Sequence, residues 1–217
     1  MKLIYKTKKT KNFICTILIG GNYQNEWNKY SKLNWLKYCK KNNIGLIIFN
    51  KNLISKKNKY FKTPHWQKLL IGNFLIKKKI KASNICFLDS DILINYVDAP
   101  DIFKFYHSKK IGIVSKFQNL PFDLLKCKKT VAFLRKKYVN KKYPLDSSLF
   151  MDIKSIYKYM GLPPQKNYAS TGVFLFNIKR HSNLLYHWYL KYTDKKKEKR
   201  MSFEEIFSNY EIQSNKL

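Results

Sequence analysis

The sequence predicts an α/β fold, a mostly parallel central sheet flanked by helices, within a single domain over residues 1–217. Three observations predict it. Short β-branched runs alternate with longer segments whose apolar residues recur at helical spacing, and several of these runs are apolar at consecutive positions, as strands buried on both faces are. A chain of 217 residues, 45% hydrophobic and 16% aromatic, is also long and apolar enough for one core, burying about 70% of its unfolded surface.

The elements follow in order. Phe13 to Ile19 reads as a first buried strand ending at Gly20-Gly21. Its resemblance to a signal peptide is superficial, because the apolar stretch is short and no small-residue cleavage site follows. Trp27, Tyr30, Ser31, Asn34, Trp35 and Tyr38 recur at helical spacing, so a helix is expected up to Asn42-Asn43, then a strand over Ile44 to Asn50. Pro64 opens a second helix that runs through Trp66, Leu69, Leu70 and Phe74 to Lys77-Lys78-Lys79. Ile85 to Leu88 is a third strand, delivering the chain into Asp89-Ser90-Asp91. A short helix at Ala99 to Tyr106, a strand at Ile111 to Ser115 and a helix at Phe122 to Tyr138 come next. After a polar stretch punctuated by tyrosine and proline, Gly172 to Asn177 is a strand, with helices near Arg180 to Tyr192 and Phe203 to Gln213; Lys195 to Arg200 is a polar linker. In such sheets ligands sit beyond the carboxyl ends of the strands.

The net charge is +31, which by itself points to nucleic acid. Nearly all of it is lysine, with arginine only at Arg135, Arg180 and Arg200, whereas base recognition leans on arginine's bidentate fork. The charge therefore reads as solvated surface with a capacity for anionic membrane or acidic glycan, and a basic nucleic-acid-binding module is the rival. Cys15, Cys39, Cys86 and Cys127 lie far apart with no C-x-x-C pair, and read as reduced core residues of a cytoplasmic protein that can sit peripherally at the inner membrane face.

An Asp-x-Asp pair is weak alone, and it can simply open a loop and cap a turn. Directly after a buried strand, however, two carboxylates need a cation or strong hydrogen bonds to stay ionised together, and oxygen ligands suit Mn²⁺ or Mg²⁺. Here Ile85 to Ile94 resembles the DxD segment of Rossmann-like GT-A-fold glycosyltransferases, particularly the bacterial galactosyltransferase-like and glycogenin-like group. Pro64-His-Trp-Gln-Lys68 is similar to the segment preceding DxD in such enzymes. Tyr168 to Asn177 resembles their N-[ST]-G-V-x-x-x-N strand, with Ser170 where the first asparagine is expected.

The resemblance implies a metal-dependent glycosyltransferase (hexosyltransferase) that uses a nucleotide-diphospho-sugar, with a UDP-sugar the expected donor and a glycan or lipid-linked acceptor in cell-surface polysaccharide synthesis. Specific nucleic acid is not an expected partner. Asp91 would ligate the metal, and Asp89 would contact metal and donor ribose, with Ser90 between them in the donor site. Gly20, Gly21, Asn22 and Tyr23 would form the nucleotide-binding turn, Tyr23 stacking on the base or else only closing the first helix. Lys68 would approach the diphosphate or remain a solvated helix lysine. Thr171, Gly172 and Asn177 would border the sugar pocket, although Gly172 could equally be a packing glycine. Glu204 and Glu205 are the nearest candidates for an acidic catalytic segment, and two glutamates at a helix start are also what the helix dipole favours. Relatives carry a further segment, often with a metal-binding histidine, past the point where this chain stops at Leu217, so an inactive truncated relative is a further alternative. His65, His107, His181 and His187 read as structural.

Overall fold

Strand β2 (Asn12–Ile17) carries consecutive apolar residues because both of its faces are covered. Phe13 and Cys15 point into one core cluster, and Ile14 and Leu18 into the other. The same alternation runs through β3 (Gly45–Phe49) and β4 (Asn84–Leu88), where Ile47, Phe49, Ile85 and Phe87 share the first cluster and Leu46, Ile48, Cys86 and Leu88 the second. This computed structural model describes residues 1–115, 153–192 and 204–217.

With β1 (Lys2–Tyr5), β5 (Gly112–Ser115) and β6 (Ala169–Asn177), the described strands form one six-stranded sheet in the order β1-β3-β2-β4-β6-β5. β2 pairs in parallel with β3 and with β4, while β1 on β3, β6 on β4 and β5 on β6 are antiparallel. Four strands therefore point the same way and two oppose them, a mixed sheet with a parallel centre. The antiparallel β6 has a consequence for function. Its amino end lies beside the carboxyl end of β4, with Leu88 opposite Val173 and Asn84 opposite Asn177.

α1 (Gly21–Glu26) buries no residue and leads into a π-helical turn (Trp27–Ser31) and α2 (Lys32–Lys41), which cover one face together with the segment after β4. There Trp27 and Trp35 meet edge to face with ring centroids 5.8 Å apart, a contact worth about 0.5–1.5 kcal/mol beyond its burial. The other face carries α3 (Pro64–Gln67), a 3₁₀ turn (Lys68–Leu70), α4 (Ile71–Lys77), α5 (Ile153–Tyr159), α6 (Ile178–Lys191) and α7 (Glu205–Ser214). The free thiols of Cys15, Cys39 and Cys86 are buried, as their apolar surroundings imply, and Cys127 lies outside the described residues.

Most expected elements form, with differences that have local causes. β1 was not expected, since its four residues are half covered and become a strand only by pairing at the sheet edge. Within Ala99–Tyr106 the only helical turn is 3₁₀ (Ile102–Lys104), where Pro100 supplies no donor and the Asp101 side chain caps Phe103 N–H at 2.9 Å. α5 forms in the stretch read as polar and irregular. The helix expected over 122–138, the run over 195–200 and Phe203 lie outside the described residues. Among the described residues, no helix is long and apolar enough to cross a membrane.

Two features of the α4–α6 side are testable. A Cβ on Gly72 would sit 2.1 Å from Ser182 Oγ and 2.8 Å from Ser182 Cβ. Overpacking of about 1–3 kcal/mol should exceed the roughly 0.8–1 kcal/mol that alanine gains in a helix, so Gly72→Ala should lower the urea midpoint; an unchanged midpoint would show that the helices separate freely. His181 is buried, accepts Asn177 N–H on Nδ1 at 3.1 Å, and has its pKa pushed below the ordinary 6.5 by that burial. The unfolded chain takes up this proton first, so the His181 contribution is complete above about pH 6.5 and is lost as pH falls through that value towards the folded pKa. Wild type should lose more urea stability than His181→Asn between about pH 7.5 and 5.5.

Candidate active site

Where β4 ends, the backbone turns sharply. Asp89 N–H donates to Gly172 O at 2.8 Å, carrying the β4–β6 ladder one residue further, and Ile92 N–H closes back on Asp89 O at 3.2 Å. Asp89, Ser90 and Asp91 thus occupy one turn at the carboxyl end of the central strand, Asp91 exposed and Asp89 and Ser90 half-buried. Gly172 lets Asp89 come this close, because a Cβ there would stand 2.8 Å from Asp89 Oδ2 and push that carboxylate out of its present position. Its packing role and its place beside the acidic pair are the same fact.

The end of the π-helical turn and helix α2 fix the shape of the acidic turn and of the segment that follows. Ser31 Oγ donates to Ser90 O at 3.1 Å, and Trp35 Nε1 donates to Ile92 O at 2.8 Å. Asn34 holds Ile94 at both ends, donating to its carbonyl at 2.7 Å and accepting its N–H at 2.9 Å. Further along, Tyr38 OH donates to Pro100 O at 2.7 Å and accepts Ile102 N–H at 2.9 Å. A segment without regular structure is thereby held as firmly as a strand would be.

Behind the turn lies a buried charge cluster. Lys68, in the 3₁₀ turn between α3 and α4, is buried, so it is not the solvated lysine that sequence allowed. Its ammonium makes an ion pair with Glu204 Oε1 at 2.9 Å, donates to Thr171 O at 3.1 Å and Thr171 Oγ1 at 3.4 Å, and stands 3.9 Å from Asp89 Oδ1 and 4.5 Å from the centre of the Phe87 ring. Thr171 Oγ1 donates to the same Glu204 oxygen at 2.6 Å. Burial raises the Asp89 pKa above its ordinary 3.8 and the Lys68 charge works against that, while Glu204 and Asp91 add to the rise.

The other expected site residues fall in different places. Gly20 has φ +110°, a conformation open to glycine, and precedes α1 beyond the carboxyl end of β2; Gly21, Asn22 and Tyr23 form the exposed first turn of that helix. Glu205 Oε2 accepts Thr171 N–H at 3.4 Å, placing this glutamate beside Thr171 together with Glu204. Asn177 is not brought to this end of the sheet. β6 runs antiparallel to β4, so Asn177 faces Asn84 at the far end, where it donates to Asn84 Oδ1 at 2.9 Å and caps α6 by accepting Arg180 N–H at 3.0 Å.

Sequence reasoning did not single out Ser31 and Asn34 as clamps, nor Gln67 and Asn209. Gln67 is fully buried and ties the loop after β3, accepting Leu53 N–H at 2.8 Å and donating to Asn52 Oδ1 and Lys62 O, each at 2.9 Å. Asn209 pairs with the backbone of Ala169 at 2.8 Å in both directions, fastening α7 to the start of β6. Asn34 was visible only as a polar residue on an otherwise apolar helix stripe.

No protein-family model and no curated protein matches the chain. Among solved structures, the chain is similar to a glycosyltransferase involved in the glycosylation of the major capsid of PBCV-1, at 10% identity and TM-score 0.50, covering 92% of this chain and 78% of that one. It also aligns with the apo structure of the bifunctional glycosyltransferase WbbM, at 11% identity and TM-score 0.44, over 97% of this chain and 39% of that one. The six-stranded sheet flanked by helices is thus a fold shared with the first of these two structures.

Glu204→Gln removes the nearest anion from a buried ammonium. Breaking such a pair costs about 3–5 kcal/mol, and we expect the lower end because the amide oxygen can still accept. Replacing both charges, as in Lys68→Met with Glu204→Leu, should recover most of that loss in urea titrations. Equal stability of Glu204→Gln and wild type would show that the pair is not formed in solution.

Proposed function

We propose that the protein is a metal-dependent glycosyltransferase that moves a sugar from a nucleotide-sugar donor to a glycan or lipid-linked acceptor. The observation that carries this reading is the Asp89-Ser90-Asp91 turn at the carboxyl end of β4, with Asp89 packed against Gly172 and within reach of Lys68. That end of a doubly covered sheet is where α/β proteins bind ligands, and the shared fold agrees with the reading.

The donor set fits a hard divalent ion completed by substrate. Among the described residues no group of three or more His, Cys, Asp or Glu could hold an ion, and in this reading Asp89 and Asp91 would supply two oxygen ligands with the donor phosphates supplying the rest. Mg²⁺ commonly binds in this manner, through one or two carboxylates and substrate phosphates. Burial is the main reason the Asp89 pKa is raised, with Glu204 and Asp91 adding to it, and a cation beside Asp89 would favour its ionised form. When bound, Mn²⁺ or Mg²⁺ would supply positive charge against the donor diphosphate.

The chain's own residues would divide the remaining work. Tyr23, exposed beside the glycine turn, would stack on the nucleotide base, with UDP-sugar the expected donor. Lys68 would add positive charge beside Asp89, held by Glu204 and Thr171. Glu204 Oε1 receives both Lys68 and Thr171, so Glu204 would act as a positioning residue, and Glu205, which accepts Thr171 N–H, would be the other candidate for a base at the acceptor hydroxyl. Thr171 and Gly172 would border the donor sugar.

The test is Asp91→Asn, which keeps the turn's shape and removes one charge. Mn²⁺ should bind more weakly by calorimetry, and donor hydrolysis or transfer, screened across UDP-, GDP- and CMP-sugars, should fall on the order of 10²-fold, equivalent to about 3 kcal/mol. Thermal stability without metal should change little, since asparagine serves a turn nearly as well. Unchanged Mn²⁺ affinity would remove Asp91 from the site.

A further inference from the structure

The segment 92–97 lies along α2 and leaves several apolar side chains in water. Leu33 is 66% exposed on the helix, Leu93 and Val97 are 64% and 65% exposed on the segment beside it, and Tyr30 one helical turn before Leu33 is 59% exposed. The clamp holds this segment against the helix: Asn34, next to Leu33, binds Ile94, next to Leu93, at both backbone atoms. Two exposed lysines on the Leu33 side of α2, at i+4 and i+8, border the same strip. Lys37 Nζ donates to Tyr96 OH at 3.1 Å and stands 4.9 Å from the centre of its ring, and Lys41 Nζ donates to Val97 O at 2.6 Å.

Exposed aliphatic residues interleaved with lysines and tyrosine are the composition of a surface that rests on a membrane interface, apolar tips entering the acyl boundary and ammonium groups meeting headgroup charge. The geometry points to this strip as a docking surface for an anionic lipid bilayer. The two other occupants fit less well. A second copy of a chain carrying +31 would bring lysine-rich faces together, and a nucleic acid would satisfy the lysines while gaining little from Leu33, Leu93 and Val97. The strip begins two residues after Asp91, so a bilayer seated on it would lie at the rim of the acidic turn, where a lipid-linked molecule could reach it.

The experiment is vesicle sedimentation and does not depend on catalysis, so its failure leaves the glycosyltransferase reading standing. Wild type should bind phosphatidylcholine vesicles containing phosphatidylglycerol and not pure phosphatidylcholine. Leu33→Ser, Leu93→Ser and Val97→Ser combined should weaken that binding about tenfold or more while heparin retention, which reads charge alone, stays the same. In a second variant, Leu93→Trp, the difference emission relative to wild type should shift to the blue when anionic vesicles are added, which reads insertion at this residue directly. Equal binding by wild type and the triple variant would overturn the assignment, as would an unshifted difference spectrum or duplex DNA binding by wild type without vesicle binding.

Discussion

The buried ammonium of Lys68 is the constraint around which this end of the molecule is organised. An unpaired charge at that depth would cost several kcal/mol, so the fold has to bring acceptors to it. They come from three segments distant in sequence: Asp89 after β4, Thr171 in β6 and Glu204 before α7. One lysine therefore ties the turn after β4, β6 and the residue before α7 together at a single point and sets the distance between that point and the acidic turn. The unequal distances, 2.9 Å to Glu204 and 3.9 Å to Asp89, leave the Asp89 carboxylate only partly neutralised.

The opposite wall is built from neutral hydrogen bonds. Ser31, Asn34, Trp35 and Tyr38 address backbone groups between Ser90 and Ile102, where no strand partner is available. Such groups would otherwise be left to water or unpaired, and their capture by one rigid helix makes the turn and the following strip a single unit with α2. The acidic turn is held between this neutral clamp and the Lys68 cluster, and the exposed strip of Leu33, Leu93 and Val97 is a by-product of the same clamp.

The elements with dense apolar runs were legible in sequence to within three residues, although β6 begins at Ala169 rather than Gly172 and a 3₁₀ turn over Lys68–Leu70 breaks the single helix expected from Pro64. β3 and β4 match their expected bounds closely, and the helix from Pro64 begins where proline favours it. β1 and α5 were not legible, because each is short and takes its structure from a neighbour. At the site, Asp89 and Asp91 were readable as an acidic pair following a buried strand, Gly20-Gly21 as a place of close backbone approach, and Gly172 as a glycine of the sugar pocket or of packing. Lys68 was ambiguous, since a lysine in a helical segment gives no sign of which way it faces until its partners are in place. Asn177 was assigned to the sugar pocket by motif alone, and strand direction, which no local pattern encodes, put it at the other end of the sheet.

By itself, then, the sequence determined the class of fold, the run of buried strands and the acidic turn at the end of one of them, because periodicity and consecutive apolar residues are local properties. The tertiary structure alone decided that β6 runs antiparallel, that Glu204 belongs to Lys68, and that Asn34 and Ser31 hold the turn. Each of these depends on pairing residues tens of positions apart, and Lys68 and Glu204, separated by most of the chain, are buried together only because the whole sheet has formed between them.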